Sequence, residues 1–233
     1  AAGRGHRVTG RVLALRVARA TTLSWRGRDV PSAFVKQPVD GRLALGPLGL
    51  DGDEQADLTV HGGPDKAICC YPSEHFPWWR EHTGLPMDAG AFGENLTLSG
   101  LVESAVHIGD TYTLGDDGAV VQVSQPRGPC FKVAARWGVR TMPAAMARGL
   151  ISGFYFRTIE PGTVGAGDTL HLTDRVSDVT VAEVLRVTYR DRHDPPALQR
   201  VVAVPELAEQ WRGSLAKLVE HNMLPLTDPV GDD

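Results

Sequence analysis

Up to about Asp174 glycine and proline cut the chain into apolar runs too short for ordinary helices, and this punctuation constrains the fold more than any other feature of the 233 residues. The 26 glycines and 16 prolines supply the turns, and the runs between them are rich in β-branched residues, which is the grammar of strands. Runs at 11–18, 32–36, 67–71, 95–98, 111–114, 119–124, 153–159 and 169–172 read as strands. Gly115-Asp116-Asp117-Gly118 separates two alternating runs and reads as a hairpin turn. Two helices interrupt the pattern, at 73–82 and 131–137, and Pro77 argues for a kink in the first.

Beyond Asp174 the apolar spacing changes from two to three and four. Thr180 followed by Glu183 is a capping box, and Asp194-Pro195 reads as an N-cap with proline at the first helical position. A last helical stretch places Leu207, Trp211, Leu215, Leu218 and Val219 at helical spacing. The expected organisation is a mainly β domain over residues 1–177, a helical extension over 178–224 and a frayed tail over 225–233. Arg186, Arg190, Arg192 and Arg200 suggest helix-turn-helix DNA binding. Glu206, Glu209 and Glu220 offset them, so the extension reads instead as a docking or dimerisation module, compatible with a homodimer.

A formal net charge of -4 supplies no global basic field, and no apolar run approaches the roughly 20 residues of a membrane span. Three cysteines, two of them adjacent, do not make a disulfide framework, so a cytoplasmic protein is expected. The opening stretch carries seven arginines up to Arg28 and no acid, but 8–17 already reads as a strand rather than a transit peptide.

The densest chemistry lies in Ser124-Gln-Pro-Arg127-Gly-Pro-Cys130-Phe-Lys132. Pro126 and Pro129 stiffen a loop in which Cys130 stands between two cations at the head of a helix, a setting that lowers a thiol pKa and suits a nucleophile or a soft-metal ligand. The alternative is a small buried hydrophobe. A second segment, 49–67, mixes Asp51, Asp53, Asp57 and His61 with Gly62-Gly63 and Lys66. It lacks EF-hand order and any His-x-x-x-His pair, and reads equally as an anion-binding nest or a tight connection. In Gly90-Ala-Phe-Gly93-Glu94-Asn95, Asn95 suits the edge of a heterocyclic cofactor or substrate, unless the segment is an ordinary turn. Cys69 and Cys70, inside an apolar strand, are read as structural.

Together, Lys36-Gln-Pro38, Gly49 to Asp57, Val60 to Ala67, Gly90 to Leu96, Ile108-Gly-Asp110 and Ser124 to Lys132 resemble the MOSC family, named for the C-terminal domain of molybdenum cofactor sulfurase. The terminal helices resemble the three-helix extension of its YiiM-like bacterial branch. The resemblance implies a β-barrel like that of the pyruvate kinase barrel domain. It also implies a molybdenum cofactor, a pterin whose metal takes one protein cysteine, here Cys130. Arg127, Lys132, Lys36 and Lys66 are then the cations for its phosphate, with Asn95 nearby and His61 as a catalytic candidate. No long N-terminal region for a pyridoxal phosphate lyase is seen, so the expected activity is pyridoxal phosphate-free: reduction of an N–O bond in an N-hydroxylated substrate such as 6-hydroxylaminopurine. An external electron-donor redox protein is expected, since neither a dinucleotide fingerprint nor an iron–sulfur cysteine set is present. The alternatives are a carrier of cofactor or sulfur on Cys130 and a cysteine hydrolase with His61 as base.

Overall fold

The structure, a computed structural model, describes residues 9–56, 62–116 and 118–223. Asp57, His61 and the expected tail 225–233 lie outside the described residues. In chain order the elements are β1 (Thr9–Val17), β2 (Thr21–Trp25), β3 (Arg28–Ser32), β4 (Gln37–Pro38), β5 (Arg42–Gly46), β6 (Gly49–Leu50), β7 (Ile68–Pro72), α1 (Phe76–Thr83) and β8 (Leu96–Ser99). There follow β9 (Thr111–Leu114), β10 (Ala119–Pro126), α2 (Phe131–Trp137), α3 (Met142–Gly149), β11 (Phe154–Glu160), β12 (Gly162–Gly165), β13 (Thr169–Asp174), α4 (Val181–Tyr189), α5 (Pro195–Val202) and α6 (Glu209–Met223).

Seven strands close into a barrel in the order β13-β9-β10-β11-β7-β8-β1, with β1 pairing back to β13. Neighbours run antiparallel except β7 and β8, which are parallel. Closure removes the sheet edges and encloses a core that includes Val12, Leu15, Leu98, Val121 and Phe156. The alternation along β1 is broken: Val12 pairs with Leu98 but Ala14 with Thr97, so a bulge at Leu13 lets Val12 and Leu15 both face inward while Leu13 is exposed.

The expected strand at 32–36 is not formed. β3 ends at Ser32, whose Oγ accepts the Phe34 N–H at 3.1 Å, a local bond that draws the chain out of the ladder. The hairpin β2–β3, the short strands β4, β5, β6 and β12, and helix α3 were not expected either. The hairpin turns on Arg26 and Gly27, both at positive φ, and an arginine there gives none of the usual Asn-Gly signal. Pro77 sits in the first turn of α1, where its missing N–H costs nothing, and residues 73–75 form a separate 3₁₀ turn.

A second core, built from Phe34, Tyr71, Trp79, Phe92, Val133 and Met146, lies under α1, α2 and α3. The helical extension caps as its sequence dictates: Thr180 Oγ1 accepts Glu183 N–H at 3.0 Å and Asp194 Oδ1 accepts Ala197 N–H at 3.1 Å. It is fastened to the barrel by Ala208 N–H donating to Ser124 O at 2.9 Å and by Arg157, which donates to Asp65 at 2.9 Å and to Glu206 O at 2.8 Å. Among the described residues no helix is long and apolar enough to cross a membrane.

Candidate functional site

A cavity of about 870 Å³ lies where the open ends of β7, β10 and β11 meet α2, the β3–β4 connection and the helices α4 and α6. The pairing register decides what faces it. Tyr155 on β11 sits opposite Gln125 of β10 and Cys69 of β7, and all three line the cavity. Their neighbours Phe154 and Cys70 point to the other face and join the barrel core. The two adjacent cysteines therefore have different surroundings. Cys70 is structural, as expected, whereas Cys69 belongs to the cavity wall.

Cys130 also lines the cavity, as the N-cap residue of α2, and is partly exposed. Its helix is anchored by Val133 and Ala134, which are buried, and by the Trp137 indole N–H, which donates to Ala91 O at 2.7 Å. On the upstream side Arg127 N–H donates to Gly153 O at 2.9 Å and Ser152 Oγ donates to Arg127 O at 2.5 Å. The loop is thus held at both ends, and its two prolines have no N–H to leave unpaired.

Arg127 is buried. Its guanidinium stands over Phe34 at 5.8 Å from the ring centroid, and its Nη1 has no hydrogen-bond partner among the described residues. Burial opposes its charge, but Cys69, Tyr155 and Cys130 together push its pKa up. Burial pushes the Cys69 thiol up while Arg127 and Lys36 pull it down, and burial with Cys69 beside it holds the Tyr155 phenol well above its ordinary value. Tyr155 accordingly keeps its proton.

The other expected cations divide into two kinds. Lys132, in the first turn of α2, is buried at the cavity with no acid paired to it among the described residues. Lys36 is paired with Asp53 at 2.5 Å. Asp53 is in turn held by Ala18 N–H at 2.8 Å and by the Asn95 amide at 2.9 Å. Asn95 also donates to Arg16 O at 3.2 Å and accepts Cys69 N–H at 3.1 Å, so its amide is spent on the protein and it positions Lys36 and Cys69 rather than offering a free edge. Lys66 donates to Gln210 Oε1 of α6 at 2.8 Å, and its pKa is lowered by burial, with Asp65 acting the other way. Among the described lining residues, cations outnumber carboxylates. The site thus joins the partly exposed Cys130 thiol, the buried Cys69 thiol, a buried guanidinium and a protonated phenol, which can bind an anion and present a sulfur ligand.

Sequence reasoning missed Cys69, Tyr155 and the contribution of α4 and α6. A strand residue's face depends on register, and no signal within the strand Ile68–Pro72 separates one cysteine from the other.

Residues 57–171 match the MOSC domain and residues 179–222 the YiiM-like, 3-alpha helix domain. The chain is 42% identical over 216 residues to the uncharacterised protein YflK of Bacillus subtilis (strain 168), covering 92% of this chain and 96% of that one. The crystal structure of YiiM from Geobacillus stearothermophilus superposes with a TM-score of 0.77 at 36% identity, over 90% of this chain and 99% of that one. A protein named reductase from Gibberella moniliformis (strain M3125 / FGSC 7600) is 35% identical over 208 residues, covering 87% of this chain and 33% of that longer protein. The chain belongs to the MOSC domain family, in the branch that carries a YiiM-like three-helix domain after the barrel.

Proposed function

We propose that this protein is a molybdenum cofactor-dependent reductase of N-hydroxylated compounds, taking a hydroxylamine-type substrate such as 6-hydroxylaminopurine to the amine. Family membership associates the chain with the molybdenum cofactor, and a relative that carries the name reductase supports the redox part of the reading. The observation that carries it is Arg127: a buried, charged guanidinium with one nitrogen unpartnered among the described residues, in the same cavity as Cys130. Leaving a buried charge incompletely bonded is costly, so such a group suits an anion that arrives with a ligand. Lys132 adds a second buried cation with no acid paired to it among the described residues, and the Cys130 sulfur suits a soft metal centre. The residues fit a phosphate-bearing, sulfur-liganded group.

When bound, the cofactor would supply the two-electron redox chemistry for removing the substrate oxygen. Overall, the hydroxylamine takes up two electrons and two protons, its N–O bond breaks, and amine and water leave. A separate redox protein in the cytosol returns the electrons. In this scheme Cys130 would be the metal ligand and Arg127 and Lys132 would hold the phosphate, while Asn95 and Asp53 fix Lys36 at the same cavity. Tyr155 offers a proton or a hydrogen bond to the departing oxygen. His61 is the other proton candidate, in the segment that joins the cavity-lining residues Ala56 and Gly62.

Protein made in a host that synthesises the cofactor should contain molybdenum and reduce 6-hydroxylaminopurine in the presence of an electron donor. Cys130→Ser should lose both metal and activity. Unchanged activity in that variant would overturn the assignment, and bound molybdenum with no amine formed would favour a carrier instead.

A further inference from the structure

The proposed reduction uses barrel residues, yet one side of the cavity is built by the helices that follow the barrel. Trp211 stands in the first turn of α6, and Ser214, Leu215 and Leu218 continue the same cavity-lining stripe. The Trp211 indole N–H donates to Thr188 Oγ1 at 3.3 Å, and that hydroxyl donates to Val184 O at 2.6 Å, so α4 fixes the plane of the ring. A Cβ placed on Gly128 would lie 3.6 Å from Tyr189 Oη and 3.9 Å from Cζ3 of Trp211. Both side chains therefore rest against the backbone of the loop that carries the thiol, two residues before Cys130. Lys66, bonded to Gln210, ties this wall to the barrel.

The cavity has two sides of different chemistry. Lys36, Arg127 and Lys132 come from the barrel side and suit an anion, whereas the extension, besides Arg192, Gln210 and Ser214, contributes Tyr189, Trp211, Leu215 and Leu218, an aromatic and apolar stretch that suits a neutral planar ring. We propose that the three-helix extension is the substrate-recognition wall of this protein, with Trp211 stacking on the ring of an aromatic or heteroaromatic hydroxylamine and Tyr189 beside it. The inference rests on the reductase reading and gives the extension a task that neither docking nor dimerisation would require. It makes ring-bearing hydroxylamines better substrates than small aliphatic ones.

Adenine, the amine that 6-hydroxylaminopurine would yield, is the probe, because it binds without turnover. Loss of one base–aromatic stack typically weakens binding roughly ten- to a hundredfold. Equilibrium dialysis of cofactor-loaded protein should show that loss in Trp211→Ala, partial recovery in Trp211→Phe, and equal molybdenum per protein in all three. In steady state Trp211→Ala should raise KM for 6-hydroxylaminopurine far more than kcat falls, and far more than KM rises for hydroxylamine itself. Wild-type adenine affinity in Trp211→Ala, or no adenine binding by the wild type, would overturn the wall, as would loss of molybdenum from Trp211→Ala. If the melting curve shows that Trp211→Ala does not fold, Tyr189→Ala carries the same comparison on an exposed ring. The reductase reading fails separately, by absence of molybdenum or of amine from the wild type.

Discussion

Arg127 is 5% exposed, and its Nη1 has no partner among the described residues. A buried polar group left unbonded costs stability, and the cost is larger when it is charged. Arg127→Ala should therefore leave the melting temperature of the cofactor-free protein level or raise it slightly, the lost packing on Phe34 offsetting the removed charge. The same change should lower molybdenum per protein. A hydrogen bond to a charged group contributes about 1.5–3 kcal/mol, which corresponds to roughly a ten- to hundredfold loss in affinity. Arg127→Lys should recover only part of it, because a point charge does not reproduce the planar fork. Equal occupancy in all three proteins would mean that the guanidinium is structural. Pro126, Pro129 and the spacing of Arg127 to Cys130 are plain in the sequence; the burial of Arg127 is not, since Phe34 and Tyr155 come from distant strands and connections.

Some elements were legible from local pattern. The strand Thr111–Leu114 and the helix Phe131–Trp137 have the bounds expected of them, and both caps of the extension form as Thr180 and Asp194 predict. What local pattern could not give is where elements cross. Gly153, at the head of β11, has φ +80, and a Cβ there would come within 2.3 Å of Cys70 O on β7. Its N–H donates to Glu103 Oε1 at 2.7 Å. Positive φ alone costs a substituted residue about 1–3 kcal/mol, and the clash with backbone adds to it. Gly153→Ala should lower the denaturant midpoint at unchanged slope, and should also reduce molybdenum content, because Arg127 N–H is bonded to Gly153 O. A neutral effect on both would mean that β7 and β11 can separate without cost to the site.

At the scale of the whole molecule, Tyr71, Tyr112 and Tyr155 have phenols pushed above their ordinary pKa, with burial the first cause in each. Each binds its proton more tightly folded than unfolded, so its stabilising effect is complete below the unfolded value of 10.0 and is lost as pH rises above it. Alkaline titration should show tyrosinate absorbance appearing together with loss of the near-ultraviolet circular dichroism, not before it. Early ionisation of several phenols in the folded protein would contradict their burial. The sequence by itself determined the strand-rich half, the helical half and its caps and the stiffened loop with Cys130, because turns, caps and periodicity are properties of neighbouring residues; the barrel was implied by the family resemblance. Only the tertiary structure decided that Cys69 faces the cavity and Cys70 the core, that Arg127 is buried there with a nitrogen unpartnered among the described residues, and that Trp211, packed against the core on one side, also walls the site. Those outcomes depend on strand register and on contacts between segments far apart in the chain, such as Gly128 with Trp211, which no local pattern encodes.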